Sequence, residues 1–540
     1  MTSTRLSPLD AAWLFTETRA TPNHVGGLLP FKLPPGAPKD FMLQLMADFR
    51  GHREFVAPWN RRLKYAFNKN PVPAWIEDDD MDMEYHVRHA ALPWPGGERE
   101  LGELVARLQS QPLDLSRPPW ECTLIEGLEG ERFGMFIKMH HSLIDGVSGM
   151  KLLQRAMATD REKSLKSPPF WAIGLATRAA QEPGAERDTS SPTFANAASA
   201  AVDALSGQAK SIPQLIMAFG KMVKRVGDSS EGMMVPFDAP ASILNGRVRE
   251  KRRFATQQFS LERMRNLATA ADCTLNDIVL AICGGALRRF LLDSDSLPDK
   301  PLTAGIPVSV RPKDDENTGN AITFIISTLA TDIEDPAERL AAIRASVQHA
   351  KEHVQSLPKK AMTQYTVLLM APTLLTLLTG IGGRTRPMFN VTISNVPGPD
   401  KPMYFRGAEL LATYPASIVT HGQALNITCQ SYAGFMNFGF TGCHASVPHM
   451  QRVAVYTGEA LDELEAAFMR PVTAVAKKTA SRWPLAKKTA PPKTTAKATV
   501  KAAAKKVTAP PAAVKKAVAA KKAVAKTAAP KKVAAAKRAA

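Results

Sequence analysis

Two adjacent histidines, His140 and His141, precede Asp145 and Gly146 in the run MHHSLIDG. Histidine is the side chain whose unperturbed pKa, about 6.5, lets it take and return a proton near neutral pH. Such a base needs a rigid element to hold it at the floor of a cleft. Phe133, Met135, Ile137 and Met139 alternate with Gly134, Phe136 and Lys138, which predicts a half-buried strand delivering the pair into a glycine-containing turn. Blander roles fit the pair equally well in isolation: a hydrogen-bonded structural histidine, or His141 and Asp145 as metal ligands at i, i+4.

The surrounding elements follow from periodicity. Residues 122–128 predict a partner strand across a turn at Glu129–Gly130–Glu131, and residues 147–157 a helix leaving the site. Residues 97–113 predict an amphipathic helix carrying Leu101, Leu104, Val105 and Leu108, stopped by the prolines of PLDLSRPPWE. Nearer the N-terminus, LSPLDAAWLF predicts a short helix capped by Ser7 or Asp10, and residues 25–31 a strand. Glu17 and His24 lie between them. The basic and aromatic segment 59–75, with Arg61, Arg62, Lys64 and Lys69, fits a phosphate-contacting rim or a solvated face.

Residues 181–206 are rich in Ser, Pro, Ala and Gly, as a connector is, and residues 212–226 carry a helical stripe suited to an interdomain linker or a docking helix. A second globular unit starts near Phe254. Thr274 caps a helix with a broad apolar face from Leu275 to Leu291. Strands are expected at 302–310, 322–330, 389–394, 425–429 and 435–440, and helices at 336–354 and 453–469. Helices and strands in this mixture imply an α/β sheet protein.

The 540 residues carry a formal net charge of +19, and its distribution is lopsided. From Pro471 onward there are 19 Lys and Arg and no acidic residue, leaving 50 basic against 50 acidic residues before it. This Lys/Ala/Pro tail reads as disordered in solution, because like charges and prolines oppose a helix and little apolar surface is present to bury. Five scattered cysteines form no CxxC and no zinc-like cluster, so reduced thiols in a cytoplasmic protein are expected. The N-terminus lacks the apolar core of a secretory signal. Residues 361–383 are uncharged, but with five threonines and Pro372 they read as a buried or interfacial helix and not a span.

Taken together, the motifs resemble the bacterial wax ester synthase/acyl-CoA:diacylglycerol acyltransferase family, within the HHxxxDG class of CoA-dependent acyltransferases. They are LSPLD, HVGGL, PPWE, MHHSLIDG, LNDIVLA, PVSVR, Gly319–Asn320, SNVPGP and ALNITCQSYAG, in that order. Two departures are Asn23, where the family commonly has methionine, and Pro119, where a PLW motif has leucine. The resemblance implies two chloramphenicol-acetyltransferase-like domains, 1–165 and 251–470, joined by a helical linker, 166–250, with 471–540 as the tail. It implies acyl-CoA as a substrate, no cofactor and no metal, with diacylglycerol or a fatty alcohol as acceptor.

On that resemblance His141 is the general base, Asp145 orients its loop through an ion pair, and His140 is structural. Asn276 is a candidate donor at the reacting carbonyl, with helix capping as its structural alternative. Glu17 is a candidate for assisting the acceptor end, Gly146 of the His loop for binding substrate or supporting the oxyanion, and Trp120 for setting pocket shape. A condensation-type enzyme would need a carrier domain, which the chain lacks, and a serine hydrolase would need a GxSxG elbow, which is also missing. A binding protein of the same fold, holding nucleic acid through the tail, is the alternative from another class. The tail fits an anionic membrane surface as well, which places the protein in the cytoplasm, peripherally on membrane or lipid inclusions.

Overall fold

The histidine pair sits at the end of the central strand of a seven-stranded sheet. In the computed structural model, residues 3–6, 8–64, 73–144, 146–174, 237–309, 322–356 and 382–469 are described. The strands are β1 (Thr4–Arg5), β2 (His24–Lys32), β3 (Arg61–Leu63), β4 (Ala74–Glu77), β5 (Val87–Ala91), β6 (Trp120–Leu128), β7 (Arg132–His140) and β8 (Arg252–Ser260). They continue with β9 (Thr303–Ser309), β10 (Ile322–Thr328), β11 (Val391–Val396), β12 (Tyr404–Phe405), β13 (Ala408–Leu410), β14 (Tyr414–Ala416), β15 (Leu425–Tyr432) and β16 (Phe435–Cys443). The first sheet runs β12-β13-β2-β7-β6-β5, with β14 also on β2; the second runs β10-β9-β11-β15-β16-β8. The short strands β1, β4 and β3 make a third, small sheet.

Helices α1 (Pro8–Phe15), α2 (Phe41–Gly51), α3 (Met83–His86), α4 (Glu98–Ser110), α5 (Gly146–Arg155) and α6 (Arg161–Ser164) accompany the first sheet. The second carries α7 (Leu261–Ala270), α8 (Leu275–Asp293), α9 (Pro336–Ser356) and α10 (Gln451–Phe468). The mixed α/β organisation agrees with the expectation from sequence. Helix α8 starts where the cap signal lies: Asp277 N–H donates to the Thr274 hydroxyl at 3.3 Å, and Thr274 N–H to the Asp277 carboxylate at 2.9 Å. Its residues Ile278–Leu287, Phe290 and Leu291 sit in the core of the second sheet with Ile343, Val347, Phe438 and Phe440.

Strand β7 departs from expectation. It is buried on both faces, not half-buried, because both sides of the sheet are covered here. One face packs Met135, Ile137 and Met139 with Trp59, Trp120 and Trp171. The other packs Phe136, with Leu28 and Ile125, beneath Leu101, Leu104 and Val105 of α4. Lys138 shares that second face and is itself 1% exposed, so a charge lies inside the layer. The segment 59–75 likewise turns inward at its ends, since Trp59 and Trp75 are core residues.

The two sheets are tied together late in the chain. Strands β12–β14, residues 404–416, follow β11 of the second sheet yet pair with each other and with β2 of the first. Their passage across β16 requires a bare backbone at Gly439, where an added Cβ would lie 1.8 Å from the Pro415 carbonyl oxygen. All five cysteines are free, and four of them are buried. Among the described residues no single helix is long and apolar enough to cross a membrane. The expectations for 212–226, nearly all of 361–383, and the tail lie outside the described residues, as do those for Ser7, Lys69 and Asp145.

Candidate active site

The chain reaches the site twice before the histidines do. Helix α1 ends at Phe15, where the Thr16 hydroxyl donates to the Ala12 carbonyl at 2.9 Å. A tight turn follows, held by Thr18 and Thr21, whose hydroxyls lie 2.7 Å apart. This turn reverses the chain into β2 and leaves Glu17 facing back along it. Strand β2 pairs with β7 so that His24 lies directly opposite His140. The close approach of the two strands explains the glycines of HVGGL at one point: a Cβ on Gly26 would meet the Phe136 ring at 2.9 Å.

His140 is completely buried, and both ring nitrogens are occupied. Nδ1 accepts from the Ser142 backbone N–H at 3.1 Å and lies 2.6 Å from the Ser142 hydroxyl. An Nδ1 that accepts a backbone N–H carries no proton, so Nε2 holds it and donates to Glu17 Oε2 at 2.5 Å. The same Glu17 oxygen accepts Asn23 N–H at 3.3 Å. Backbone bonds fix the loop: His140 N–H donates to the Pro119 carbonyl and His141 N–H to the Asn23 carbonyl, each at 2.9 Å.

His141 is the partly exposed member of the pair. Its ring stacks on the Trp13 indole of α1, centroids 4.3 Å apart. The first histidine therefore anchors the turn while the second is presented beside it. Chemically the arrangement offers a proton acceptor at the edge of a buried, hydrogen-bonded scaffold, which is what general-base catalysis requires.

The scaffold beneath is charged. Lys138 Nζ bonds Glu121 of the PPWE motif at 3.2 Å and the carbonyls of Leu108 and Gln111 at 3.1 and 2.8 Å, capping the end of α4. Burial lowers the Lys138 pKa, while the Glu121 carboxylate opposes the shift. Glu121 also takes Arg88 at 3.0 Å and the Tyr85 hydroxyl at 3.2 Å. His24 Nε2 lies 2.9 Å from the Gln109 carbonyl. Burial first, then the positive charge of Lys138, push its pKa well below 6.5, so His24 is neutral. From the second sheet, buried Arg252 of β8 reaches the Ala20 carbonyl at 2.7 Å, and its N–H meets the Ser110 hydroxyl at 2.9 Å.

Of the other expected residues, Glu17 meets the pair directly. Glu17 is bonded to His140, so the structure gives it a partner other than an acceptor substrate. Asn276 shares none of these hydrogen bonds and is not the cap of its helix, which Thr274 and Asp277 form. Trp120 is fully buried, stacks on His86 and donates its indole N–H to the Trp59 carbonyl at 2.7 Å, which makes it core. Gly146 opens α5, and an added Cβ there would meet open space. Among the described residues no group of three or more His, Cys, Asp or Glu is placed to hold a metal ion.

Sequence reasoning missed Asn23, Ser142, Trp13 and Lys138 as parts of this site. Lys138 left a signal, a charge within an otherwise apolar strand. Asn23 left one too, as a departure from the family's usual methionine.

The comparisons identify the family. Residues 6–279 match the wax ester synthase/diacylglycerol acyltransferase catalytic domain, and residues 318–465 match the C-terminal domain of the same family. A putative diacylglycerol O-acyltransferase of Mycobacterium tuberculosis is 43% identical over 490 residues, covering 86% of this chain and 98% of its own length. The O-acyltransferase WSD of Acinetobacter baylyi is 38% identical over 462 residues, 85% of this chain and 96% of that one. The solved wax ester synthase/diacylglycerol acyltransferase of Marinobacter aquaeolei VT8 shares 36% identity and a TM-score of 0.69, over 86% of this chain and 99% of that one. Nothing in these matches favours a non-catalytic binding protein. Matched along both halves and near full length to its relatives, the chain belongs to the wax ester synthase/diacylglycerol acyltransferase family and is an O-acyltransferase.

Proposed function

We propose that the protein moves a long-chain acyl group from acyl-CoA to the hydroxyl of diacylglycerol or of a fatty alcohol, with His141 as general base. The observation that carries this reading is the division of labour within the pair: His140 is sealed and doubly bonded, whereas His141 is exposed enough to meet a hydroxyl. His141 takes the acceptor's proton as its oxygen attacks the thioester carbonyl. The C–S bond then breaks, and the imidazolium returns the proton to the departing CoA thiolate, giving ester and CoA. A base of this kind contributes roughly 10²–10⁴-fold, and alignment of the two substrates contributes further.

Glu17 keeps His140 in one tautomer, and His140 in turn shapes the loop that presents His141. Asp145 orients that loop, the open space at Gly146 admits substrate, and Asn276 supplies a polar group toward the carbonyl. The halves 1–165 and 251–470 act as paired acetyltransferase-like domains joined by 166–250. The basic tail, 471–540, holds the enzyme on an anionic membrane or lipid-inclusion surface where its acceptors dissolve, at about 1 kcal/mol per basic residue near the surface. A polycation of this kind also binds nucleic acid, with steep salt dependence.

The test is CoA release from palmitoyl-CoA with hexadecanol or diacylglycerol, on wild type and His141→Ala, with lipid products resolved by chromatography. Acceptor-dependent release and ester formation, abolished by the substitution, are expected. Release without acceptor would make the protein a thioesterase and overturn the reading.

A further inference from the structure

The end of α1 touches the proposed base directly, in a contact that the proton path above does not use. The Trp13 and His141 rings stack with their planes 29° apart. Both hang from one residue. Asn23, itself 1% exposed, accepts His141 N–H on its carbonyl and donates its side-chain amide to the Trp13 carbonyl at 2.7 Å and the Thr16 hydroxyl at 2.9 Å. Indole, imidazole and the Asn23 amide thus close a ring of contacts that fixes how the two aromatic planes face each other.

We propose that Trp13 is a positioning residue for acyl transfer: its indole face sets the plane of the His141 imidazole and stabilises the imidazolium formed as the acceptor hydroxyl gives up its proton, with Asn23 as the clamp that holds the two rings in register. The inference rests on His141 being the base. An aromatic face is negative at its centre, so a neutral imidazole gains little from it and a cation gains more. That difference appears as charge develops on the ring, which makes it stabilisation of the transition state and not of the ground state. Trp13 is only partly buried, so it can flank the base without enclosing it.

The ionisable groups on the elements packed here are Asp10 and Glu17 from α1 and its end, His24 and Lys32 from β2, and Arg132, Lys138 and His140 from β7. All are unchanged in the variants below, so a moved pH profile reports the indole. Catalysis needs neutral His141, and the indole favours the charged form. Removing it therefore moves the acid limb of kcat/KM to lower pH, by roughly half to one unit.

The experiment measures kcat and kcat/KM against pH for the full chain, with palmitoyl-CoA and hexadecanol. Trp13→Leu is expected to lose about tenfold in kcat and to shift the acid limb downward. Trp13→Phe, which keeps an aromatic face, should recover most of both. Asn23→Leu keeps the indole but frees the clamp, and should change both in the same direction by less. Should Trp13→Leu fail to fold, the Phe and Asn23 variants carry the test. A Trp13→Leu enzyme with wild-type kcat, or one whose loss leaves the acid limb in place and is not recovered by phenylalanine, overturns the proposal. His141→Ala in the same assay separates the two claims. If it is active, the base assignment fails; if it is inactive while Trp13→Leu behaves as wild type, only the role of Trp13 fails.

Discussion

Each large sheet is built on a long antiparallel hairpin whose second strand spans nine residues and runs into a histidine: β6–β7 into His140 and His141, β15–β16 into His444. What surrounds the two ends differs. The first hairpin buries charge, with Lys138 against Glu121 and His140 against Glu17. The strands of the second bury only neutral polar groups, such as Gln430, Asn437 and Thr441, although buried Arg252 of β8 lies opposite their last residue, Cys443. His444 is exposed, lies 2.9 Å from Arg253, and has its pKa lowered by desolvation and by that guanidinium. A histidine at a strand end is therefore not yet a base. The buried carboxylate, the second imidazole and the fixed loop distinguish one hairpin end from the other.

The sharpest way to break the comparison is to remove each terminal histidine. His141→Ala is expected to lower kcat by roughly 10²–10⁴-fold, while His444→Ala leaves it at the wild-type value. A comparable loss in both would show that the shell around the first pair confers nothing special.

The next largest effect concerns stability. Lys138→Met leaves the buried Glu121 carboxylate to Arg88 and Tyr85 among the described residues and strips the Leu108 and Gln111 carbonyls of their donor, at a cost of about 3 kcal/mol in unfolding free energy. Asn437→Ala in the second hairpin, which removes neutral hydrogen bonds to Gln258 and to the Gln430 carbonyl, should cost only about 1 kcal/mol. Removing both charges, as Lys138→Met with Glu121→Leu, should restore only part of the loss, because Arg88 then loses this carboxylate and the Leu108 and Gln111 carbonyls still lack the Lys138 donor. Denaturant midpoints decide this; equal costs at Lys138 and Asn437 would erase the distinction between charged and neutral layers.

Glu17 tests the site without touching the base. Glu17→Gln keeps an acceptor for His140 Nε2 and should lower kcat by about tenfold, and Glu17→Ala by about a hundredfold. KM should be nearly unchanged in both, since the residue acts through His140. A rise in KM for the acceptor with kcat intact would return Glu17 to the acceptor end, where the family resemblance had put it.

The contrast also explains what was readable from sequence. Helix α8 was legible because Thr274, Asp277 and the apolar stripe are local signals. Strand β7 was legible from alternation, although the burial of both its faces was not, since that depends on α4 covering one face and Trp59 and Trp171 the other. Strand β15 runs on to Tyr432, beyond the predicted end at Cys429, because β16 supplies partners through Phe435. Of the site, the pair itself was visible as a motif. The Glu17–His140 bond spans 123 residues and the Lys138–Leu108 bond 30, and no local period encodes such meetings. The return of residues 404–416 to the first sheet is of the same kind.

The smallest expected effect is a pH dependence that is stronger at buried His24 of the first sheet than at exposed His444 of the second. His24 is buried and neutral, with Nδ1 lacking any partner, and its folded pKa is depressed. In the unfolded chain it titrates near about 6.5. Above that value neither state holds the proton, and the contribution of a neutral buried His24 is fully present. Below it the unfolded chain binds a proton that the folded one refuses, so stability falls with pH, by at most about 1.4 kcal/mol per unit for a single group. His24→Gln, which keeps a donor for the Gln109 carbonyl, should flatten the fall in denaturant midpoint between pH 6.5 and 5.5, whereas His444→Gln should leave it close to that of wild type. Parallel curves for wild type and His24→Gln would mean that acid destabilisation originates elsewhere, and that the buried charges of the first sheet are tuned without reference to His24.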